Sequence, residues 1–376
     1  MDTFLSLMVD GYHGNESFYF IGSDYWGALH INCVNVAPFF MVHTKILTAN
    51  NNSDEILQET IDVIRRGGLV AFPTETVYGL GADAMNVEAV QKVFAVKGRP
   101  ATNPLIVHVA SLQAARTFAE EIPLKGEILA EKFWPGPLTL VVRAKATVPR
   151  IVTGGLDTVA IRVPNQEFTL RLLERFGGGI VGPSANISGK PSPTLPEHVI
   201  SDFDGKIDLI IDAGQTKIGV ESTVVDVTVD PPVILRFGGI TSEAIKDVIG
   251  KIDVANSSSE LRRRSPGTRY RHYAPIAKVI IVEEGNSEQL DTLIIKYQRS
   301  EKRIGVITHS QKLSSKKLNV PQYHLKDKAH YAHDLFKLLR KADDKGIEVL
   351  LVESVSEQGL GAAIMDRLKR AAEEQK

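Results

Sequence analysis

Short apolar runs alternate with longer amphipathic ones from residue 53 almost to the C-terminus, and this alternation limits the fold more than any other feature. Four to eight apolar residues between turn residues read as a buried strand, whereas apolar positions three and four apart over a longer run read as a helix. Ser53 can cap a helix through EILQETIDVIRRGG, with Ile56, Leu57, Thr60, Ile61 and Ile64 on one face and Gly67-Gly68 as its stop. VEAVQKVFAVKGR and TLRLLERFGGG read as further helices. LVAFPT, PLIVHVA, LTLVVRA, TVAIRVP, IVGPSAN, IDLIIDAG, STVVDVTV and PVILRFG read as strands, completing a mixed sheet by about residue 240. Farther on, KVIIVEE, RIGVITH and IEVLLVES alternate with SEQLDTLIIKYQ, HYAHDLFKLLRKA and LGAAIMDRLKRAA. Strands alternating with helices form βαβ units, so the last hundred residues predict a small parallel-sheet domain.

The division expected is an extension at 1–44, a catalytic body at 45–250, a basic connector at 251–275 and a C-terminal domain at 276–376. The first forty residues hold nine of the chain's 25 aromatics and its single cysteine, but no Lys or Arg. They lack the basic start and small-residue cleavage site of a signal peptide, and Met41 opens MVHTKILTAN like an ordinary protein start. An extension outside the fold is the reading taken, and a small element packing its aromatics on the body is the alternative. A formal net charge of -1 gives no global pull toward nucleic acid or a membrane, so any basic site must be local. No apolar run is long enough to span a bilayer. One cysteine rules out an internal disulfide framework or a Cys-rich zinc site and fits a reducing, cytoplasmic location.

Two tempting motifs fail on context. Gly177-x-Gly179-x-x-Gly182 has the spacing of a dinucleotide loop, but it follows a predicted helix and precedes a strand. A pyrophosphate site needs the reverse order, so a helix stop is the better reading. Gly182-x-Ser184 lacks the second glycine of a nucleophile elbow, Asn186 standing in its place. There is no Walker A sequence either.

KGRPATNPLIVHV, from Lys97 to Val109, is more informative. Lys97 and Arg99 end a predicted helix, either as a solvated pair favoured by the helix dipole or as a grip on phosphate. Asn103 follows on a loop stiffened by Pro100 and Pro104. Arg offers two parallel bonds to phosphate oxygens and Lys a mobile point charge. His108, among strand residues, reads alone as a satisfied core histidine. PTETVYGLGADA sets Thr74, Glu75, Thr76 and Tyr78 at a strand end before a glycine-rich turn. PSANISGKPSPT repeats the theme with Ser184, Asn186, Ser188 and Thr194, and GVESTVVD adds Glu221, Ser222 and Thr223. Loop capping explains any one of these equally well. Three polar loops, each leaving an apolar strand, predict one shared rim suited to hydrogen bonding rather than covalent catalysis. RRRSPGTRYRHYAP carries five arginines in ten residues with interleaved aromatics. It reads as a lid over a polyanion, with a solvated linker or a grip on single-stranded RNA as alternatives.

PTETVYGLGADA, KGRPATNPLIVHV, FWPGPLTLV, PSANISGKPSPT, GVESTVVD, SPGTRYRHYAP and QGLGAAIMDRLKRAA, in that order over roughly residues 45–376, resemble the longer form of the YrdC-like threonylcarbamoyl-AMP synthases. The resemblance implies an α/β fold: a YrdC-like twisted mixed sheet with flanking helices, plus a smaller Rossmann-like parallel α/β domain. It implies a nucleotidyltransferase that joins L-threonine, bicarbonate and ATP into L-threonylcarbamoyladenylate with release of pyrophosphate. A downstream threonylcarbamoyl transferase complex then modifies tRNA next to the anticodon, so tRNA is an indirect partner and no membrane is involved. Carried over by position, it places Arg99, Asn103, Thr158, Asn186, Thr194, Arg236 and Tyr273 around ATP. Thr76, His108, Arg162, Ser184 and Ser222 surround threonine, and Lys97 and Arg99 serve as the catalytic cations beside the phosphates. Mg²⁺ is expected with ATP, held by phosphates and water rather than by a protein metal site. Phe237 stands where the family usually has proline after the arginine, and Thr268-Arg269 where Met-Lys is usual. An RNA-binding module for tRNA or ribosome maturation is the competing reading. A carbamoyltransferase of the hydrogenase-maturation type is weakened by the absence of cysteine-rich zinc segments.

Overall fold

The computed structural model describes residues 43–49, 54–255, 260–265, 273–310 and 320–373. The expected extension up to residue 42, the Ser53 cap and residues 266–272 of the basic connector lie outside the described residues.

A mixed sheet of twelve strands organises the larger body among the described residues. Its order runs Lys45–Thr48, Leu209–Asp212, Val70–Phe72, Gly79–Asp83, Ile180–Val181 and Ile106–His108. It continues through Thr158–Arg162, Leu138–Ala144, Thr223–Asp226 and Val233–Arg236 to Asp253–Val254, with Ala119–Glu121 paired on Leu138–Ala144. The helix Asp54–Arg65 buries Leu57, Ile61 and Ile64 against one layer of the sheet, together with Phe168, Leu172 and Leu173 of the helix Glu167–Phe176. That second helix stops where expected, because Gly177 takes the left-handed conformation (φ 73°) and its N–H returns to the Leu173 carbonyl. Val87–Lys97 likewise begins at an Asn86 side-chain cap and ends on Gly98 at φ 60°.

One stretch departs from the sequence reading. GLGADA was expected to turn, but Gly79–Asp83 is a strand, antiparallel to Val70–Phe72. The glycines are there because the Phe72 ring lies across them: a Cβ on Gly79 would come within 2.7 Å of that ring, and one on Gly81 within 2.9 Å.

The second sheet is wholly parallel, in the order Lys278–Val282, Val349–Glu353, Ile304–Thr308 and Gln322–His324. Helices Ser287–Arg299, Lys328–Asp344 and Gly361–Ala372 accompany it. This is the strand–helix alternation expected of the C-terminal domain. Its buried cluster, built around Tyr331, Phe336, Leu339, Leu350 and Leu368, also takes in Val77 and Val220 from the larger body, so the two sheets share apolar contact. Between them, Ser242–Ile249 forms a helix whose N-cap Thr241 accepts from the Ala244 N–H at 3.2 Å. Among the described residues no helix is long and apolar enough to cross a membrane.

Candidate active site

The three polar loops converge because their backbones pair with one another. Tyr78 donates its N–H to the Pro193 carbonyl, Leu80 to Pro183, and Ala185 to Tyr78, stitching PTETVYG to PSANISGKPSPT. GVESTVVD enters from the other side, where Ile218 and Gly219 donate to the carbonyls of Glu75 and Thr76. Between these loops and the sheet lies a cavity, partly open to solvent, lined by Thr76, Arg99, His108, Arg162, Ser184, Asn186, Ser192, Glu221, Ser222, Arg236 and Tyr273 together with Val77, Ile106, Gly182 and Pro183.

Parallel pairing puts His108 and Arg162 side by side at the ends of their strands. Arg162 is 3% exposed and already engaged on three sides. It donates from Nη1 to Thr76 Oγ1 at 2.9 Å and from Nε to the Gly136 carbonyl at 3.2 Å, and Nη2 pairs with Glu75 Oε2 at 2.7 Å. Thr76 shares a further bond with Thr74, 2.8 Å between hydroxyls. His108 is fully enclosed, edge-on to Phe72 with ring centres 5.4 Å apart. Burial, then the Arg162 charge, hold its pKa down at about 3, so the imidazole facing the cavity is neutral.

The other arginines are fixed just as firmly. Arg236 donates from Nε and Nη2 to the Ser222 carbonyl at 3.2 and 3.0 Å, and from Nη2 to the Ser222 hydroxyl at 3.1 Å. The same hydroxyl shares a 2.8 Å bond with Thr139. Arg99 donates to the Pro104 carbonyl at 2.9 Å. Asn186 ties its loop by donating from Nδ2 to the carbonyls of Ile187 and Lys190. Tyr273 has φ 70°, lies 4% exposed, and stacks on Phe336 with ring centres 5.2 Å apart.

Nine of the thirteen residues expected at the site line this one cavity, and four do not. Lys97 is 2% exposed behind the PSAN loop, donating to the carbonyls of Ser184 and Asn186 at 2.6 and 2.5 Å. Burial first, then neighbouring Arg99, push its pKa well below the usual lysine value. Asn103 is buried in the turn beyond Arg99, its N–H donating to the Pro100 carbonyl. Thr158 opens its strand opposite Arg143, and Thr194 is enclosed with its N–H donating to His198 Nδ1 at 3.2 Å.

Some residues were read only in part. Glu75 and Glu221 were named on the shared rim without a ligand or partner, and Ser192 sits inside a quoted motif but was not singled out. Glu75 grips Arg162, and Glu221 accepts from the Ser192 hydroxyl at 2.7 Å. Arg340 and Arg367, from the C-terminal domain, had no local signal. Arg340 donates to the Pro191 carbonyl at 2.7 Å and pairs with Asp202 at 2.7 Å, while Arg367 pairs with Glu221 at 3.0 Å.

Buried arginines converging with hydroxyls and a neutral imidazole give this cavity a lining chemically suited to a small anionic molecule. Comparison with known proteins makes this specific. A family model described as telomere recombination matches residues 62–238, and one described as the C-terminal domain of threonylcarbamoyl-AMP synthase matches residues 240–373. A threonylcarbamoyl-AMP synthase of Pyrococcus abyssi is 50% identical over 316 residues, covering 82% of this chain and 92% of the relative. One from Bacillus subtilis is 44% identical over 328 residues, covering 86% and 94%, and one from Schizosaccharomyces pombe is 39% identical over 375 residues, covering 88% and 91%. The crystal structure of P. abyssi Sua5 complexed with L-threonine matches with a TM-score of 0.83 at 47% identity, covering 88% of this chain and 98% of that one. The chain belongs to the threonylcarbamoyl-AMP synthase family.

Proposed function

We propose that this chain is a nucleotidyltransferase that condenses L-threonine, bicarbonate and ATP into L-threonylcarbamoyladenylate and pyrophosphate. The observation that carries the reading is the convergence of Arg99, Arg162, Arg236, Ser184 and Ser222, from five separate segments, on one buried cavity in a member of this family. The chemistry asks for no protein nucleophile. The threonine amine adds to the carbon of CO₂, supplied by bicarbonate with loss of hydroxide, and sheds a proton to give a carbamate. A carbamate oxygen then attacks the α-phosphorus of ATP as the bond to the β-phosphate oxygen breaks and pyrophosphate leaves. What the protein must supply is alignment and charge.

Arg162, held by Glu75 and Thr76, is placed to receive the threonine carboxylate, with Ser184, Ser222 and neutral His108 beside it. Arg99 and Arg236, with Asn186 and Tyr273, are assigned to the nucleotide. Asn103, Thr158 and Thr194 are assigned to shaping that end rather than touching it. Lys97 acts through the loop whose carbonyls it holds. Mg²⁺ fits as an ion carried on the phosphates, where it would offset leaving-group charge. The cavity lining is mainly cationic and neutral, and its Glu221 carboxylate is already bonded to Ser192 and Arg367. The adenylate is a mixed anhydride that water destroys, and enclosure of the lining protects it. The product suits consumption by a threonylcarbamoyl transferase complex acting on tRNA, in a cytoplasm that supplies ATP. An independent RNA-binding role is not favoured, since Arg99, Arg162 and Arg236 line a recessed cavity rather than an exposed surface.

Purified protein with Mg²⁺ should release pyrophosphate only when threonine, bicarbonate and ATP are all present, with the adenylate detected by mass spectrometry. No release, or equal release without threonine, overturns the reading.

A further inference from the structure

A negative charge in the wall of this cavity is an anomaly. The Glu221 carboxylate is 6% exposed and lines a space read above as receiving a triphosphate. An unpaired carboxylate there would carry both its own desolvation cost and repulsion of the ligand.

Its neutralising partner comes from the other domain. Arg367, on the helix Gly361–Ala372, is fully buried and donates from Nε to Glu221 Oε2 at 3.0 Å. From Nη1 it also donates to the carbonyl of Phe237, the residue after Arg236, at 2.7 Å, and to Asp366 Oδ2 on its own helix at 3.0 Å, a carboxylate that Arg370 also pairs. Its guanidinium carbon lies 5.5 Å from the centre of the Tyr273 ring, which lines the cavity and stacks on Phe336 of the helix Lys328–Asp344. Close backbone packing fixes this register. Gly219, two residues before Glu221, has φ 85°, and a Cβ there would fall 2.3 Å from the His333 carbonyl oxygen. Burial raises the Glu221 pKa, but the charges of Arg367 and then Arg236 outweigh it and the net shift is downward.

We propose that Arg367 is a positioning residue of the nucleotide site: it cancels the Glu221 charge and holds the Phe237 and Tyr273 walls, so the C-terminal domain is a required part of nucleotide binding. This rests on the function proposed above, specifically on the cavity receiving ATP. Glu221 can then keep the Ser192 hydroxyl in place without repelling phosphate, a role that a neutral side chain in the same position would fill less firmly.

The test uses the full chain and four proteins: wild type, R367Q, E221Q and the R367Q/E221Q double variant. Binding of a non-hydrolysable ATP analogue with MgCl₂ is measured by calorimetry, and KM values for ATP and threonine by pyrophosphate release. R367Q should weaken nucleotide binding by roughly tenfold to a hundredfold, the effect of one unit charge near a polyanion at partial screening. Its KM for threonine should move by less than about threefold, because Arg162 is untouched. Removing the stranded charge in the double variant should restore most of the loss, which a packing role would not allow. Wild-type affinity in R367Q, or no recovery in a folded double variant, overturns the proposal. If R367Q does not fold, the double variant decides: nucleotide affinity within about threefold of wild type supports the pairing, and failure to fold or to bind overturns it. Absence of adenylate synthesis by the wild type would refute the proposed function instead, and the analogue titration would still judge the pairing.

Discussion

Two buried neutral histidines should make this protein lose stability above the range in which its carboxylates titrate. His108 is enclosed beside Phe72 with the Arg162 charge next to it, and its pKa falls from 6.5 to about 3. His198 also falls from 6.5 to about 3: burial is the first cause, followed by the Arg340 charge, with Asp202 opposing and Lys337 adding. Geometry points the same way for His198, because its Nδ1 accepts the Thr194 N–H and cannot do so once protonated. A folded pKa below the unfolded one means the unfolded chain takes up the proton first. The stabilisation is therefore complete above 6.5 and is lost as pH falls toward 3. Between pH 7 and 5 each group gives up about 2 kcal/mol, or about 4 kcal/mol together, at 1.36 kcal/mol per pH unit. Glu221 and Asp202, whose pKa values are depressed, do not add to the loss until lower pH. Urea unfolding followed by circular dichroism at the two pH values, at constant ionic strength, measures the difference. His108→Gln combined with His198→Gln should remove most of it, whatever the substitutions cost at pH 7. Equal stability of the wild type at both pH values, or an unchanged pH slope in the double variant, refutes the reasoning.

Two further substitutions separate binding roles from supporting ones. Lys97→Met leaves the carbonyls of Ser184 and Asn186 without their buried donor, a loss of about 2–4 kcal/mol in stability along with turnover. A melting temperature equal to wild type with turnover abolished would instead put the ammonium on the substrate. Glu75→Gln removes the charge that pairs with Arg162 at 2.7 Å, and the KM for threonine should rise by roughly tenfold with a smaller change for ATP. Steady-state kinetics checks this, and an unchanged threonine KM would detach Glu75 from the site.

Elements whose cause is local were legible in the sequence. LTLVVRA forms the strand Leu138–Ala144, since seven residues between the WPGP turn and a lysine leave little other choice. The Gly177 stop came from left-handed geometry that glycine alone adopts cheaply. The glycine-rich strand Gly79–Asp83 was illegible for the opposite reason: its glycines answer to Phe72 on the neighbouring strand, a contact that local propensity cannot express. The site divides the same way. Thr76, Ser184 and Ser222 were found because hydroxyl-rich loops after apolar strands are unusual. Their supporting ion pairs were missed because the partners are remote. Arg340 meets Asp202 138 residues away, and Arg367 meets Glu221 146 residues away. Within KLLRKA and MDRLKRAA both arginines look like solvated helix charges. Lys97, read from the sequence as a cation beside phosphate, has its ammonium on the carbonyls of Ser184 and Asn186, contacts that its own segment does not announce.

The positions of the carboxylates explain how such a cavity remains receptive to anions. Glu221 lies in the lining and Glu75 behind it, and each is tied to an arginine: Glu75 to Arg162 from the sheet, Glu221 to Arg367 from the far domain. The two pairs differ in consequence. Arg162 is itself in the lining, so its pairing with Glu75 trades charge for direction, leaving a guanidinium aimed by two hydrogen bonds and an ion pair. Arg367 is outside the lining, so its pairing offsets the Glu221 charge from outside the cavity wall. A site arranged this way has little left to reorganise when charge moves from the carbamate to the departing pyrophosphate. For a reaction that uses no covalent catalyst, that prior arrangement is the main lever available on rate.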